Sequence, residues 1–382
     1  MDSRRDTPLG AGRGAALLLW LSLLGTETAR AQALRPVPAQ AAPTTSCDDL
    51  DPPSLGRAIE AELPALLKRT ERTLRIGRRR ISPRDYARTT LVPLLALSHK
   101  GREALCAGLR DRFALYQPAG YRGAHVSAYY HPVIQGSRSK SGTYPIPLFR
   151  RPPDPDAAAL PTADILDGAL DGKGLELVYV ESLQVALLVH IEGSVTVQLV
   201  EGGEVNLTPD GHNGHPYQNP YKLARKDRVI PKDFRPPPSS SPSGTPQTVA
   251  RAFFAARPDI LRSYWARDPH FVFFKETPLR GTGRFGELTP GRSAAVDLSR
   301  VPLGAALLLR SELAVPPPSS QDPVAHAPLL RVVLAQDTGA AILGPGRLDL
   351  FVGWGEQAAY AAAHTSRGGD LYVLVATNKH GR

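Results

Sequence analysis

The chain has 382 residues, 42% of them hydrophobic and 21% charged, enough to bury the cores of about two domains. That excludes a disulfide-held miniprotein and an intrinsically disordered chain. The 37 Pro and 34 Gly are high together and gather in linker-like stretches, and a net charge of +10 suits an anionic partner or surface.

At the N-terminus Arg4, Arg5 and Arg13 lead into an apolar run from Ala15 to Leu24, followed by Ala29-Arg30-Ala31 before Gln32. This is the three-part layout of a secretory signal peptide, and the run is too short for a permanent span. Residues 1–31 are therefore set apart as a signal, the alternative being a short anchor that is not cleaved. No later stretch is long and apolar enough to span a membrane. The two cysteines, Cys47 and Cys106, both fall in the exported part. An oxidising compartment lets them pair, and two unpaired thiols are the alternative. Cys47 lies too far beyond the apolar run to be the lipidated cysteine of a lipoprotein signal.

A Pro/Ala/Gln-rich leader occupies 32–47. Residues 54–69 and 82–113 read as helices: Ser82-Pro83 is a cap and first-turn pair, and Tyr86, Leu91, Leu94 and Leu95 recur at helical spacing. Pro93 is expected to kink the second. Between them Arg78-Arg79-Arg80 has no interleaved aromatics for stacking bases and reads as a solvated helix end or loop; with export, this leaves no nucleic-acid partner. From Ser127 to Arg150 the chain turns extended and aromatic. Leu175 to Val200 is β-branched and apolar and reads as strands with Gly193 between them, followed by turns at Gly202-Gly203 and Pro209-Asp210-Gly211. Residues 236–244 (PPPSSSPSG) read as a flexible loop. Helices are expected from Thr245-Pro246 to Ala256 and from Pro258 to Arg267. The last third reads as short strands, 271–274, 305–309, 330–335, 348–352 and 371–376, between Gly/Pro turns, a pattern of barrels or sandwiches.

Three aspartates stand in distinctive surroundings. Asp297 lies in GRSAAVDLSRVPLG, Asp337 ends an apolar strand, and Asp349 precedes Leu350-Phe351-Val352. A carboxylate at a strand end beside glycines can be held rigidly close to a ligand; turn-capping is the plainer reading of the same residues. Gly281-x-Gly283-x-x-Gly286 matches a dinucleotide fingerprint by letters, but no helix follows, so it reads as a loop. His212 and His215 have no ligand partners at metal-like spacing. Neither a metal nor a cofactor is implied.

The run QDTGAAILGPGRLDLFVGWGEQA (336–358) resembles the signature of the murein transglycosylase A family, whose C-terminal domain is known by three aspartates. FVFFKE (271–276), LTPGRSAAVDLSRVPLG (288–304), NGHPY (213–217) and YPIPLFRRP (144–152) are similar to family motifs in the family's order. The resemblance implies a mainly β, α+β fold: a double-psi β-barrel joined by the helical N-terminal part (48–135 and 270–382), and an inserted β-rich domain (145–268), with the substrate groove between. It places Asp349 on the catalytic acid and Asp337 and Asp297 on its companions. Tyr129, Tyr130, Gly193, Ser194, Asn213, Gly214, Tyr217 and Gly339 fall in groove motifs. In AYYHP (128–132) and IEGSV (191–195) the chain departs from the family pattern at Ala128, His131, Glu192 and Val195, which bears on substrate preference.

The implied activity is that of a lytic transglycosylase, cutting peptidoglycan between N-acetylmuramic acid and N-acetylglucosamine. Ordinary glycosidases recruit two carboxylates. Here the C6 hydroxyl of the muramic acid attacks its own C1, leaving a 1,6-anhydro end, so a single acid that later acts as base suffices, and effective molarity supplies several kcal/mol. Asp349 then needs a raised pKa, from burial or a neighbouring carboxylate. The expected partner is the glycan strand, with peripheral association at a membrane or wall complex, a monomer, and a periplasmic location that extends to the outer membrane. A non-catalytic wall-binding module and a water-using hydrolase are the competing readings.

Overall fold

The computed structural model describes residues 32–38, 48–71, 73–76, 79–234, 246–317 and 324–377. The expected signal segment, Cys47 and the 236–244 loop lie outside them. The first strand, β1 (Gln32–Pro36), lies where an irregular leader is expected; it pairs parallel to β2 (Leu74–Ile76) and antiparallel to β4 (Phe113–Pro118). Helix α1 (Pro52–Leu66) is capped by Asp51, which accepts from the Ser54 amide at 2.9 Å. It buries Leu55, Ile59 and Leu66 at helical spacing.

The arginine cluster, expected as a helix end or loop, contributes Arg79 and Arg80 to the edge strand β3 (Arg79–Ile81). The expected 82–113 helix is broken into α2 (Pro83–Tyr86), a π-helical turn (Ala87–Leu91), α3 (Val92–Ser98) and α4 (Arg102–Arg112). Pro93 has no amide to donate, and a wide turn just before it accommodates its ring, with the Val92 N–H bonded to the Ala87 carbonyl. Gly101, at φ 91°, separates α3 from α4. Ser82 and Asp85 form the capping box expected at the start. Cys106 is disulfide-bonded.

From β5 (Ala124–His131) the chain passes into a six-stranded sheet made of β6 (Val133–Ser137), β7 (Ile146–Phe149), β8 (Glu176–Val180), β9 (Val195–Leu199), β10 (Glu204–His212) and β11 (Val272–Thr277), in the order β11-β10-β9-β6-β8-β7. Short helices α5 (Pro155–Ala158) and α6 (Thr162–Leu166), then α8 (Pro220–Lys226), α9 (Pro246–Ala255) and α10 (Pro258–Trp265), accompany it. The sheet takes strands from both sides of the expected limits at 145 and 268. The larger correction is α7 (Leu183–Glu192), a helix inside the run expected to be all strand. An unbroken apolar run carries no periodicity to separate the two states; Ser182 caps its start, and Gly193, at φ 82°, is its left-handed stop rather than a strand turn. Likewise Pro209-Asp210-Gly211 is a bulge within β10, not a turn. Phe271, Phe273, Phe274 and Trp265 pack this lobe's core.

After the small hairpin β12 (Thr282–Gly283) and β13 (Gly286–Glu287), the chain returns to the first sheet as β14 (Ser293–Val296), β15 (Ala306–Val315), β16 (Ala325–Asp337) and β17 (Arg347–Trp354). Helix α11 (Glu356–His364) and β18 (Ser366–Ala376) complete it. The order β15-β16-β14-β17-β5-β18, with β18 pairing back to β15, closes a ring of six strands. This is the expected mainly β barrel, and its interior is filled by Val126, Leu307, Val333, Leu348, Leu350 and Val373, with Ala294 and Ala335 leaving room where the ring is narrow. A buried pair joins the N-terminal part to the ring: Arg292 Nη1 and Nη2 donate to the Asp48 carboxylate at 2.5 and 2.8 Å, and the guanidinium also donates to Ser54 and the carbonyls of Val332 and Asp51. All five guanidinium donors are thereby used, the condition under which a buried charge is tolerated.

Candidate active site

The strand register brings the aspartates together. Ala295 on β14 is paired with Asp337 on β16 at one side and with Asp349 on β17 at the other; Asp349 is paired in turn with Ser127 on β5. Residues paired across neighbouring strands share a face. Asp337 and Asp349 therefore stand two strand spacings apart, roughly 10 Å between main chains. Leu348 and Leu350 point into the ring, so Asp349 between them faces away from it.

Asp349 accepts a hydrogen bond from the Ser127 hydroxyl, which in turn accepts from Arg347 Nη2 at 2.7 Å. Burial raises the pKa of Asp349 above the ordinary carboxylate range, against the pull of Ser127 and the positive charges of Arg347 and His125. Asp337 accepts from the Tyr129 hydroxyl at 2.9 Å. Burial, helped by the charge of Asp349, pushes Asp337 up to about 6 despite the Thr338 amide, Tyr129 and Arg284. Two acids with raised proton affinity on one face can hold and pass protons near neutral pH.

Asp297 is different. Burial pulls its pKa up, but hydrogen bonds from the Ser299 hydroxyl and amide and from the Gly344 amide, with the charge of Arg300, outweigh it and leave the carboxyl below its ordinary range. Those bonds, 2.6 Å and 2.9 Å from Ser299 and 2.7 Å from Gly344, tie the end of β14 to the turn that leads into β17. This geometry suits holding the turn before Asp349, not donating a proton. Gly339 lies in the same turn, where an added Cβ would stand 3.2 Å from Ile342.

Tyr129 packs on Phe351, ring centroids 5.3 Å apart, and feels the charges of Asp337, Asp349 and Glu192; its pKa, raised first by burial, lies well above the ordinary value. Tyr130 is pushed up to about 12 by burial and by Glu192. Tyr217, also raised by burial, senses Asp268 and Glu192. Tyr129 thus stands against Asp337, whereas Tyr130 and Tyr217 are tied by charge to Glu192 at the C-terminus of α7.

The remaining expected groove residues are placed otherwise. Ser194 is buried, its hydroxyl 2.9 Å from Nδ1 of His131. Asn213 spends its amide within the fold: Nδ2 donates to the Leu160 and Pro269 carbonyls, and Oδ1 accepts from the Phe271 and His215 amides. It holds the turn rather than offering a free amide. Gly214, at φ 87°, lies open beside it, its amide donating to His212 Nδ1 at 3.0 Å.

Sequence reasoning misses Ser127, Arg347 and Arg251, whose Nη2 donates to Glu192 Oε1 at 3.2 Å. None of them carries a motif of its own; each is marked by a partner from a distant segment.

Family models match two stretches of the chain, an MltA specific insert domain over residues 125–275 and a 3D domain over residues 292–375. The chain is 28% identical over 269 residues to the membrane-bound lytic murein transglycosylase A of Escherichia coli (strain K12), covering 69% of each protein. Its fold is similar to the crystal structure of a membrane-bound lytic murein transglycosylase from Agrobacterium tumefaciens, with a TM-score of 0.70 at 22% identity, covering 90% of this chain and 98% of the other. It is also similar to E. coli MltA with bound chitohexaose, with a TM-score of 0.68 at 22% identity, covering 91% and 95%.

Proposed function

Because the chain belongs to the MltA family of lytic murein transglycosylases, we propose that it cleaves the glycan strands of peptidoglycan between N-acetylmuramic acid and N-acetylglucosamine, with Asp349 as the acid. The observation that carries this reading is the row of Asp337, Ala295, Asp349 and Ser127 across four adjacent strands. It sets an acid of raised proton affinity on the outer face of a closed ring, where a strand of sugars can lie.

In this mechanism the protonated Asp349 gives its proton to the leaving glycosidic oxygen. Positive charge then develops at C1 of the muramic acid. The C6 hydroxyl of the same sugar attacks C1 and its proton passes to the Asp349 carboxylate, which closes the 1,6-anhydro ring and restores the acid without consuming water. Ser127 holds the carboxylate between the two transfers and, by favouring the ionised form, eases the first. Asp337, kept in place by Tyr129, supplies partial negative charge beside the developing cation. Asp297 keeps the turn from Gly339 to Gly346 in register with β17.

The inserted lobe forms the second wall, carrying Glu192 and Tyr217. A wall-associated, exported location follows from the relatives' description as membrane-bound and from the basic charge of the chain. Among the described residues no helix is long and apolar enough to cross a membrane.

The test is mass spectrometry of borohydride-reduced fragments released from purified sacculi by the chain and by Asp349→Ala. Anhydromuramyl ends that vanish in the variant are expected. Reducible muramic ends would instead mean a water-using hydrolase, and binding without release a wall-binding module.

A further inference from the structure

Arg347 stands two residues before Asp349 on β17 and is paired with His125 on β5, as Asp349 is paired with Ser127. Two steps along a strand return to the same face, so these four residues share the outer side of the ring. The Arg347 guanidinium closes over the seam between the two strands. Its Nη1 donates to the Leu348 carbonyl at 2.6 Å and to the His125 carbonyl at 3.3 Å, and its Nη2 donates to the Ser127 hydroxyl oxygen at 2.7 Å. Carbonyls of both strands thus hold the planar group, and its place beside Ser127 is set by main chain.

A guanidinium can only donate, and a hydroxyl has a single proton to give. Because Ser127 accepts from Arg347, its own proton is left for Oδ1 of Asp349. The chain of hydrogen bonds therefore has one direction, from Arg347 through Ser127 to Asp349. With a positive group on its oxygen, Ser127 is a strengthened donor and a poor acceptor. An acid proton on Asp349 is then carried by Oδ2, the oxygen that Ser127 does not occupy.

The other ionisable groups coupled to Asp349 are His125 and Tyr129 on β5, Asp337 on β16 and Glu192 at the end of α7. Burial raises the Asp349 pKa, and the Ser127 bond and the charges of Arg347 and His125 pull against it.

Resting on the proposed glycan cleavage, we propose that Arg347 is a positioning residue that acts through Ser127: it fixes the hydroxyl as a donor to Oδ1 of Asp349, so that the proton given to the glycosidic oxygen, and the one taken back from the C6 hydroxyl, both travel on Oδ2. One oxygen of the acid is kept as an anchor and the other makes the transfers. The same polarity serves both halves of the reaction, since Ser127 need not turn between them.

The experiment is a carbon-13 carboxyl titration of Asp349 in the native chain, Arg347→Met, Ser127→Ala and the double variant, alongside the pH profile of anhydromuramyl release from sacculi. In Arg347→Met the Asp349 titration moves up by about one pH unit, and the upper limb of the release profile moves with it. In the Ser127→Ala background the same substitution moves the titration much less, because the hydroxyl through which it acts is gone. An equal shift in both backgrounds overturns the proposal, since Arg347 would then act by charge alone; so does an Asp349 titration that stays in place or moves down in Arg347→Met. Arg347→Gln, too short to reach Ser127, replaces the methionine variant if that chain does not fold and is judged by the same comparison. Because the titration needs no substrate, it decides on Arg347 even if the native chain releases no anhydromuramyl ends, an outcome that would sink the functional reading alone.

Discussion

The Ser127 hydroxyl donates to the Asp349 carboxylate across two parallel strands, β5 and β17, whose register pairs the same two residues. A hydrogen bond to a charged group is worth about 1.5–3 kcal/mol and favours the ionised form. Removing it in Ser127→Ala should raise the Asp349 pKa further and move the upper limb of the pH–activity profile by about one unit to higher pH. The rate at low pH should fall, because the acid now releases its proton less readily. A Ser127→Ala profile that moves to lower pH would show that the hydroxyl stabilises the protonated acid instead.

Asp337 and Asp349 both have raised proton affinities, but their partners differ. The hydroxyl on Asp337 comes from Tyr129, whose own proton is held tightly, so that carboxyl is fixed as an acceptor. Asp349→Asn should lower the rate of anhydromuramyl release by about 10³-fold or more, the upper part of the range for a positioned acid. Asp337→Asn keeps an acceptor for Tyr129 and should cost about 10–10²-fold, seen in kcat more than in KM. Equal losses in the two variants would show that the acid role is shared or reversed.

Their glycine-rich surroundings alone left the three aspartates open to a turn-capping reading, and it was the resemblance to the family that singled them out as site residues. The resemblance put Asp349 on the acid, but what sets the proton affinity of each aspartate was not legible. That depends on Gly344 and Ser299 bonding to Asp297 while, among the described residues, Ser127 bonds to Asp349, and these contacts join segments up to 222 residues apart. Most strands of the last third were legible as apolar runs between Gly/Pro turns, but β14, the strand between Asp337 and Asp349, was not expected, and β15 and β16 run longer than expected because their hairpin continues as far as the pairing of Val315 with Ala325. Helix α7 was not legible, since LQVALLVHIE is apolar on every side and is buried by Trp265 and Phe271 whatever its period. Nor did Asn213 reveal that its amide would be consumed by four main-chain partners.

Glu62 on α1 is fully buried behind the barrel. Burial raises its pKa well above 4.5, so the folded protein keeps a proton that the unfolded chain releases above that pH. Stability therefore falls as pH rises past 4.5, by about 1.4 kcal/mol per pH unit until the folded carboxyl ionises. Glu62→Met, close in volume and without polar atoms, should be more stable than the native chain at pH 7 and lose most of that advantage at pH 4. Urea melts of both proteins at the two pH values measure this; an advantage of the same size at each would mean that Glu62 is not buried as an acid.

His131 carries the opposite sign. It ends β5 with its ring buried between Ser194 and Thr196 of the inserted lobe, 2.9 and 2.8 Å from their hydroxyls, so both ring nitrogens are engaged at the point where the barrel strand meets the second sheet. Burial, with the charge of Arg280, lowers its pKa from 6.5 to about 4. Above pH 6.5 the ring is neutral in both the folded and the unfolded chain, and its contribution is complete. Below 6.5 the unfolded chain takes up a proton that the folded chain refuses, so stability is lost as pH falls through the window down to about 4, amounting to about 3 kcal/mol at its lower end. Other groups titrate there too, so the measurement is a difference: the native chain should lose about 3 kcal/mol more than His131→Asn between pH 7 and pH 4 in urea unfolding. Parallel curves for the two proteins would place a charged imidazole at this junction and remove the neutral link between the barrel and the inserted lobe.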